Sequence, residues 1–357
     1  MAPKTITLQD VAKASGFSKS AVSAALSGNR STISLTEETR NKILQAAKKL
    51  NYRPNILAKS MSEQRSFLIG LLLSDVNTAL ATELIRGIQD QAVGHGYAPV
   101  VFSHGNPQQE RDNLKTCMDR KVDALIVNAA VGQAARTGRE GLAPNVPLVE
   151  VLGRQSAPWV VLDYRASGRI ATQHLLELGH RRIAMLTYDQ SLGKPGATNG
   201  EHWNAREHFL GYQETMEHAG LTTHVLTHPL LDTARPELAW TDQVAQAAPD
   251  MLAGTDRPTA VICYDDRQAY GLVRACRGLG LEVPADLSIV GHLDREASEL
   301  IEPALTSLRV PAAQLGARAA QMCFDLMDDQ PVSNTSFEPQ LITRGSTAPP
   351  QAKPDTA

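Results

Sequence analysis

Residues 8–28 read LQDVAKASGFSKSAVSAALSG, and the spacing of their apolar side chains decides how the chain begins. Leu8, Val11 and Ala12 fall on one helical stripe, ASGF at 14–17 interrupts it, and Val22, Ala25 and Leu26 resume it. Two short helices are expected. Gly16 can take a left-handed turn at no steric cost, and Ser18 can accept unpaired amides at the start of the second helix. Ala12 and Val22 stand where the helices approach closely, as a helix-turn-helix requires. A third helix is expected over 36–50, with Ile43, Leu44, Ala47 and Leu50 closing a small three-helix core.

Charge separates this head from the rest of the chain. The 357 residues carry a formal net charge of −3, yet residues 1–62 hold ten Lys or Arg against Asp10, Glu37 and Glu38, a net of +7. The remainder is acidic, with 25 basic against 35 acidic residues. A compact basic head on an acidic body suits contact with a polyanion. In a helix-turn-helix the second helix enters the major groove N-terminus first, so Lys19 and Ser20 would meet base edges. Lys19 can donate to guanine O6 and N7, whereas Ala21 and Ala24 offer only a methyl group.

Beyond the head, apolar runs of strand length at 67–73, 99–102, 124–127, 183–186, 259–263 and 287–290 alternate with longer helical patterns. That alternation predicts an α/β body with parallel sheets, and its extent suits two doubly wound subdomains with a ligand cleft at the strands' carboxyl ends. No apolar run approaches the roughly 20 residues of a membrane span, and MAPKTITLQD has no apolar secretory centre, so a cytoplasmic protein without a membrane partner is expected. Cys117, Cys263, Cys276 and Cys323 lie far apart and are expected as reduced thiols. His202 and His208, and His224 and His228, repeat no metal-site spacing. Asp265 and Asp266 are adjacent at a strand-to-helix turn and point apart, with no nucleophile motif or phosphate-cradling glycine loop beside them. Neither an enzyme nor a metal or cofactor is expected. A solute-binding protein would share the body but lack the basic head.

TLQDVAKASGFSKSAVSAALSG, followed by TEETRNKILQAAKKLNYRPNILAKSM, resembles the DNA-binding head of the lactose repressor (LacI/GalR) family of bacterial transcription regulators. The resemblance continues through FLIGLLLSDV, KVDALIVN, HLLELGHRRIAML, RPTAVICYDDRQAYG, VPADLSIVGHLD and PALTSLRVPAAQLGARAA, over almost the whole chain. It implies a three-helix head over 1–52, a hinge helix and linker over 53–65, a periplasmic-binding-protein-like body over 66–345, and a flexible tail over 346–357. It also implies a homodimer on a near-palindromic operator and a small-molecule effector of carbohydrate-related type. An effector-independent regulator is the alternative.

On the same resemblance the DNA-facing set is Thr7, Ser18, Lys19, Ser20, Ser23, Ala24 and Asn29. Many family members carry arginine where this chain has Ala24. Pro54 is expected to open the hinge helix, in which Asn55, Ala58 and Lys59 match positions near the minor groove and its phosphates. Met61 stands where the family wedges an apolar side chain, commonly leucine, between bases.

The effector set implied by the resemblance is Asp75, Leu80, Asn128, Leu152, Trp203, Arg206, His208, Asp265, Leu293 and Asp294. Within it the family's acids and arginine are missing. His208 stands at the arginine position, Leu293 at the first acid of the paired acids, Leu152 or Gly153 at the other acid, and Leu80 with Ala81 at the usual aromatic pair. Leucine cannot satisfy sugar hydroxyls, and each polar group buried unpaired costs about 1 to 3 kcal/mol. Three readings remain open: a ligand less hydroxylated than a simple sugar, substitute contacts from Arg206, Glu201, Trp203 and Arg154, or a body that answers to no small molecule. Trp203 and Trp240 are candidate cleft aromatics, and His208 can equally be a structural histidine.

Overall fold

The computed structural model describes residues 6–26, 34–74, 76, 78–128, 146–154, 158–187, 203–227, 236–254 and 256–351, with backbone alone at 79, 107, 227 and 236–240. The chain forms two compact units, Met1–Ser66 and Phe67–Ala357.

The first unit contains α1 (Leu8–Ser15), α2 (Lys19–Leu26), α3 (Glu37–Lys49) and α4 (Ile56–Glu63). Thr7 and Asp10 cap α1 reciprocally, and Gly16 ends it in the left-handed conformation at φ 76°. The Ser18 hydroxyl accepts the Ala21 amide at 3.2 Å and starts α2. Val11, Val22, Ala25, Ile43, Ala46 and Ala47 form the buried core. Leu44, expected in that core, is instead 41% exposed. The inward stripe of α3 runs 43, 46, 47, 50, so residue 44 falls one step outside it. The hinge helix also begins later than Pro54. The Asn55 side-chain oxygen accepts the amides of Leu57 at 3.0 Å and Ala58 at 3.3 Å, which makes Asn55 the cap and Ile56 the first helical residue.

In the second unit β1 (Leu68–Leu73), α5 (Ala79–Gly94), β2 (Ala98–Ser103), α6 (Pro107–Asp119), β3 (Ala124–Asn128), β4 (Leu148–Val151) and β5 (Trp159–Leu162) come first. There follow α7 (Tyr164–Glu177), β6 (Ile183–Thr187), α8 (Trp203–His218), β7 (His224–Thr227), α9 (Pro236–Met251), β8 (Ala260–Cys263), α10 (Asp266–Gly278), β9 (Ser288–Leu293), α11 (Ala297–Leu300) and β10 (Thr306–Arg309). The chain ends with α12 (Ala312–Met327), β11 (Thr335–Phe337) and β12 (Gln340–Ile342). Two sheets result, ordered β11-β5-β4-β3-β1-β2 and β12-β10-β9-β8-β6-β7. Their pairings are parallel except for β12, which runs antiparallel to β10. Leu315, Ala319 and Met322 of α12 pack with Ile69, Leu71 and Ile126 in the core of the first sheet.

One crossing fixes the wall behind the cleft. A Cβ on Gly168 of α7 would collide with the His208 carbonyl, and one on Gly211 of α8 with the Arg165 carbonyl, so only glycine lets these helices touch. The expected flexible tail from 346 is corrected over its first residues. Ser346 is fully buried, donates to the Ile289 carbonyl at 2.6 Å and accepts the Thr306 amide at 2.8 Å, while the Ala348 carbonyl lies 2.9 Å from His180 Nε2. Buried backbone groups of the second sheet need these partners.

Candidate DNA-reading surface and effector cleft

On α2, Val22 and Ala25 point into the head, while Lys19, Ser20 and Ser23 are exposed together. The Ser18 and Ser20 hydroxyls lie 2.9 Å apart at the helix start. Ala24 departs from the expected DNA-facing set: it is 3% exposed, because it follows Val22 and precedes Ala25 on the inward half of the helix. Thr7 is exposed, but its hydroxyl is engaged by Asp10 at 2.7 Å. Asn29 lies outside the described residues.

The hinge helix is built differently. No residue of α4 is buried, and Leu57 and Met61 are 72% and 84% exposed. Ala58 is exposed and Lys59 half-buried. Asn55 turns its side-chain oxygen to the helix start.

In the second unit a cleft of about 370 Å³ opens at the carboxyl ends of both sheets. One wall comes from the first sheet and α5, with Leu73, Leu80, Ala81, Leu84 and Leu152. The other comes from the second sheet, with Tyr264, Asp265, Arg267, His292, Leu293 and Arg295. Asn128 also lines it, its amide nitrogen 3.5 Å from Ser74 Oγ, and so do Tyr164 and Asn204. The structure thus brings Leu80, Asn128, Leu152, Asp265 and Leu293 of the sequence-derived set together. Asp75, Glu201 and the Trp240 side chain lie outside the described residues.

Four members of the set stand elsewhere. Asp294 is held by Arg344 Nη1 at 2.6 Å and Arg309 Nε at 2.7 Å, away from the cleft. Leu293 and Asp294 both have positive φ, 103° and 50°, so the chain reverses there, sending the leucine inward and the acid towards the two arginines. Arg206 is exposed on α8, since two residues along a helix turn it to the face opposite His208. Trp203 meets the edge of Tyr164 at 5.8 Å between ring centres, and the Arg154 guanidinium covers it at 4.2 Å. Trp203 therefore backs the cleft wall without lining it.

His208 is the fourth. It is fully buried behind the charged wall, 4.9 Å from the His292 ring, with neither nitrogen hydrogen-bonded. Burial pushes its pKa well below the ordinary value, and His292 pushes it further. Burial likewise pushes His292 down to about 4, against the pull of Asp265 and a hydrogen bond to the Tyr264 backbone. Both imidazoles are neutral near pH 7.

Two acids with opposite fates complete the charged wall. Asp265 caps α10, accepting the Arg267 amide at 2.8 Å. Its two oxygens also take Arg267 Nε at 2.9 Å, Arg267 Nη2 at 3.0 Å and Arg295 Nη2 at 3.3 Å. Burial raises its pKa, but the two arginines outweigh burial and hold the carboxyl below its ordinary value. Asp266 accepts from Ser307, Ser298 and the Arg295 amide, and burial still pushes it up to about 7. Sequence reasoning missed Arg267, Arg295 and His292. All three sit in or directly beside the motifs YDDRQAYG and VGHLD, whose acids are the more conspicuous residues.

Residues 7–55 match the family model for bacterial regulatory proteins of the lacI family, and residues 172–347 match the periplasmic binding protein-like domain, together more than half of the chain. The chain belongs to the LacI family of bacterial regulators. It is a DNA-binding transcription regulator whose body has the fold of an effector-binding domain. Among its relatives, the HTH-type transcriptional repressor PurR of Photobacterium profundum is 26% identical over 95% of this chain and 98% of its own. Catabolite control protein A of Priestia megaterium is 27% identical over 92% and 95%. A LacI family transcriptional regulator from Mycobacterium smegmatis shares 29% identity and superposes with a TM-score of 0.66, covering 79% of this chain and all of that one. The lac repressor dimer bound to operator and an anti-inducer shares the fold at a TM-score of 0.73 and 24% identity, over 97% and 100%. Among the described residues no cluster suited to a metal ion occurs, and no helix is long and apolar enough to cross a membrane.

Proposed function

We propose that this LacI-family regulator works in the cytoplasm as a homodimeric repressor on a near-palindromic operator, with α2 in the major groove and α4 prising open the minor groove. What carries the reading is α2 itself: Lys19, Ser20 and Ser23 exposed on one face, Val22 and Ala25 anchored on the other, in a head of net charge +7. The dimer named for the lac repressor structure supports the same assembly here. Lys19, Ser20 and Ser23 read bases, Ser18 and Thr7 hold the helix starts, and Asn55, Ala58, Lys59 and Met61 serve the hinge contact.

In this reading a ligand in the cleft favours one arrangement of the body, operator DNA favours ordered hinges, and the two preferences are coupled reciprocally. The test is selection of bound duplexes from randomised DNA with the full-length protein, then anisotropy titration of the enriched sequence. An inverted repeat is expected. Lys19→Ala should relax preference at one position per half-site, losing about 1 to 3 kcal/mol of discrimination. A pool without an enriched repeat overturns the assembly, and unchanged preference in the variant overturns the role of Lys19.

A further inference from the structure

The cleft is two-sided in a way that a sugar site is not. Its first wall is mainly leucine and alanine, from Leu73, Leu80, Ala81, Leu84 and Leu152, with Ser74, Thr78 and Asn128 at its edge and no charged side chain among the described lining residues. Against it stands a wall with two guanidinium groups and one carboxylate. The carboxylate is spent: Asp265 accepts four hydrogen bonds, from the Arg267 amide, Arg267 Nε, Arg267 Nη2 and Arg295 Nη2. A carboxylate offers about four lone-pair sites, so Asp265 has nothing left for ligand hydroxyls. Two other acceptors of the lining are engaged too: the Asn204 oxygen takes the Ala205 amide at 3.0 Å, and the Thr78 hydroxyl takes the Ala81 amide at 3.1 Å.

Donors are in surplus on the same wall. Arg295 carries five N–H bonds, gives one to Asp265 at 3.3 Å, and keeps its Nε buried with no acceptor. Among the described residues Asp265 neutralises one of the two guanidinium groups. Asp266, fully buried behind them and raised to about 7, is ionised in only part of the molecules near neutral pH, so a net positive charge remains on this wall. Buried unpaired charge is costly, and a planar fork is matched by a carboxylate.

We infer that the cleft of this regulator is built for an amphipathic monoanion: a carboxylate received by Arg295 beside Arg267, on an apolar body lying against the α5 wall. A single negative charge balances the wall, whereas a phosphate dianion would leave an excess. A volume of about 370 Å³ suits a small organic acid. This deepens the effector reading of the same cleft and rests on it.

The experiment is calorimetric titration of the full-length protein with phenylacetate and hexanoate, with their amides as neutral isosteres, and with benzyl phosphate and glucose. At least one acid is expected to bind about tenfold or more tightly than its amide, the size of one charge-assisted pair. Arg295→Gln should abolish that difference, and Arg295→Lys should restore part of it. Acid and amide compared on the unaltered protein keep the test sound if a variant folds poorly. Equal binding of acid and amide, binding of glucose or benzyl phosphate in preference to both acids, or binding of none overturns the inference. Operator anisotropy run alongside separates the two readings. Retained operator preference with failed acids removes only the anion, while lost operator preference removes the regulator reading.

Discussion

Helices α2 and α4 are both eight residues long, and both start from a side-chain cap, yet they are held in opposite ways. In α2, Val22, Ala24 and Ala25 are buried, whereas α4 buries nothing. An isolated helix of this length is marginal in water, so its stability must come from what it packs on. The core supplies that to α2 in advance. No described residue of the first unit supplies it to α4, whose ordering free energy must come from its partner. In the proposed reading α2 is the element that recognises and α4 the one whose formation can be withheld, and the contrast in burial fits those tasks.

The largest effect expected is from Val22→Asn, which removes a buried apolar side chain and leaves an unsatisfied amide, about 4 kcal/mol in all. The head should unfold in a melting experiment and operator binding should vanish. Met61→Asn should leave head melting unchanged, and a head that melts early in that variant would break the contrast.

Acid offers a second separation, because all ten histidines lie beyond the first unit. The unfolded chain takes up protons near pH 6.5, but folded His292 does so only at about 4, since burial disfavours its charge. The unfolded state therefore binds more protons between these values. The His292 contribution should be intact above pH 6.5 and lost as pH drops towards about 4, by on the order of 3 kcal/mol. Asp266, which burial raises to about 7, gains its proton in the folded body over much of the same range and offsets a comparable amount. His292→Gln should therefore make the body more resistant to acid between these values than the unaltered protein; an unchanged acid response of the body in that variant, or a head transition that falls over the same range, would contradict this.

Smaller and sharper is a matched pair of cap removals, each costing about 1 kcal/mol. Ser18→Ala should lower head melting. Asn55→Ala should leave melting unchanged and weaken operator binding about fivefold. Smallest is Met61→Leu, where a less flexible wedge should tighten operator binding about threefold without moving the melting curve.

The head is readable because its determinants are local. The turn at Gly16 and the Ser18 cap each involve residues within one turn of helix, and the departures at Leu44 and at the Pro54 start are displacements of one and two residues. In the cleft, the missing acids are visible as leucines, but the use made of the remaining ones is not. Asp265 meets Arg295 across 30 residues, and Asp294 meets Arg344 across 50, pairings that no spacing rule announces. A structural role for His208 is open to sequence reading, although its burial against His292, 84 positions away in the chain, emerges only from the fold. Ser346 falls into an expected free tail because a polar, proline-rich ending reads the same whether or not buried amides await it.

The order of strands has a consequence for inheritance. The sheet that begins with β1 is completed by β11, and α12, which covers it, is encoded after the second sheet has almost finished. Neither half of the body corresponds to one uninterrupted stretch of gene. A single recombination event near the codon for Ser66 can exchange the DNA-reading head intact, whereas any single crossover within the body leaves at least one half assembled from both parents. Operator preference and ligand preference can thus be recombined with each other in one step, while neither half of the ligand cleft can be exchanged alone by a single crossover.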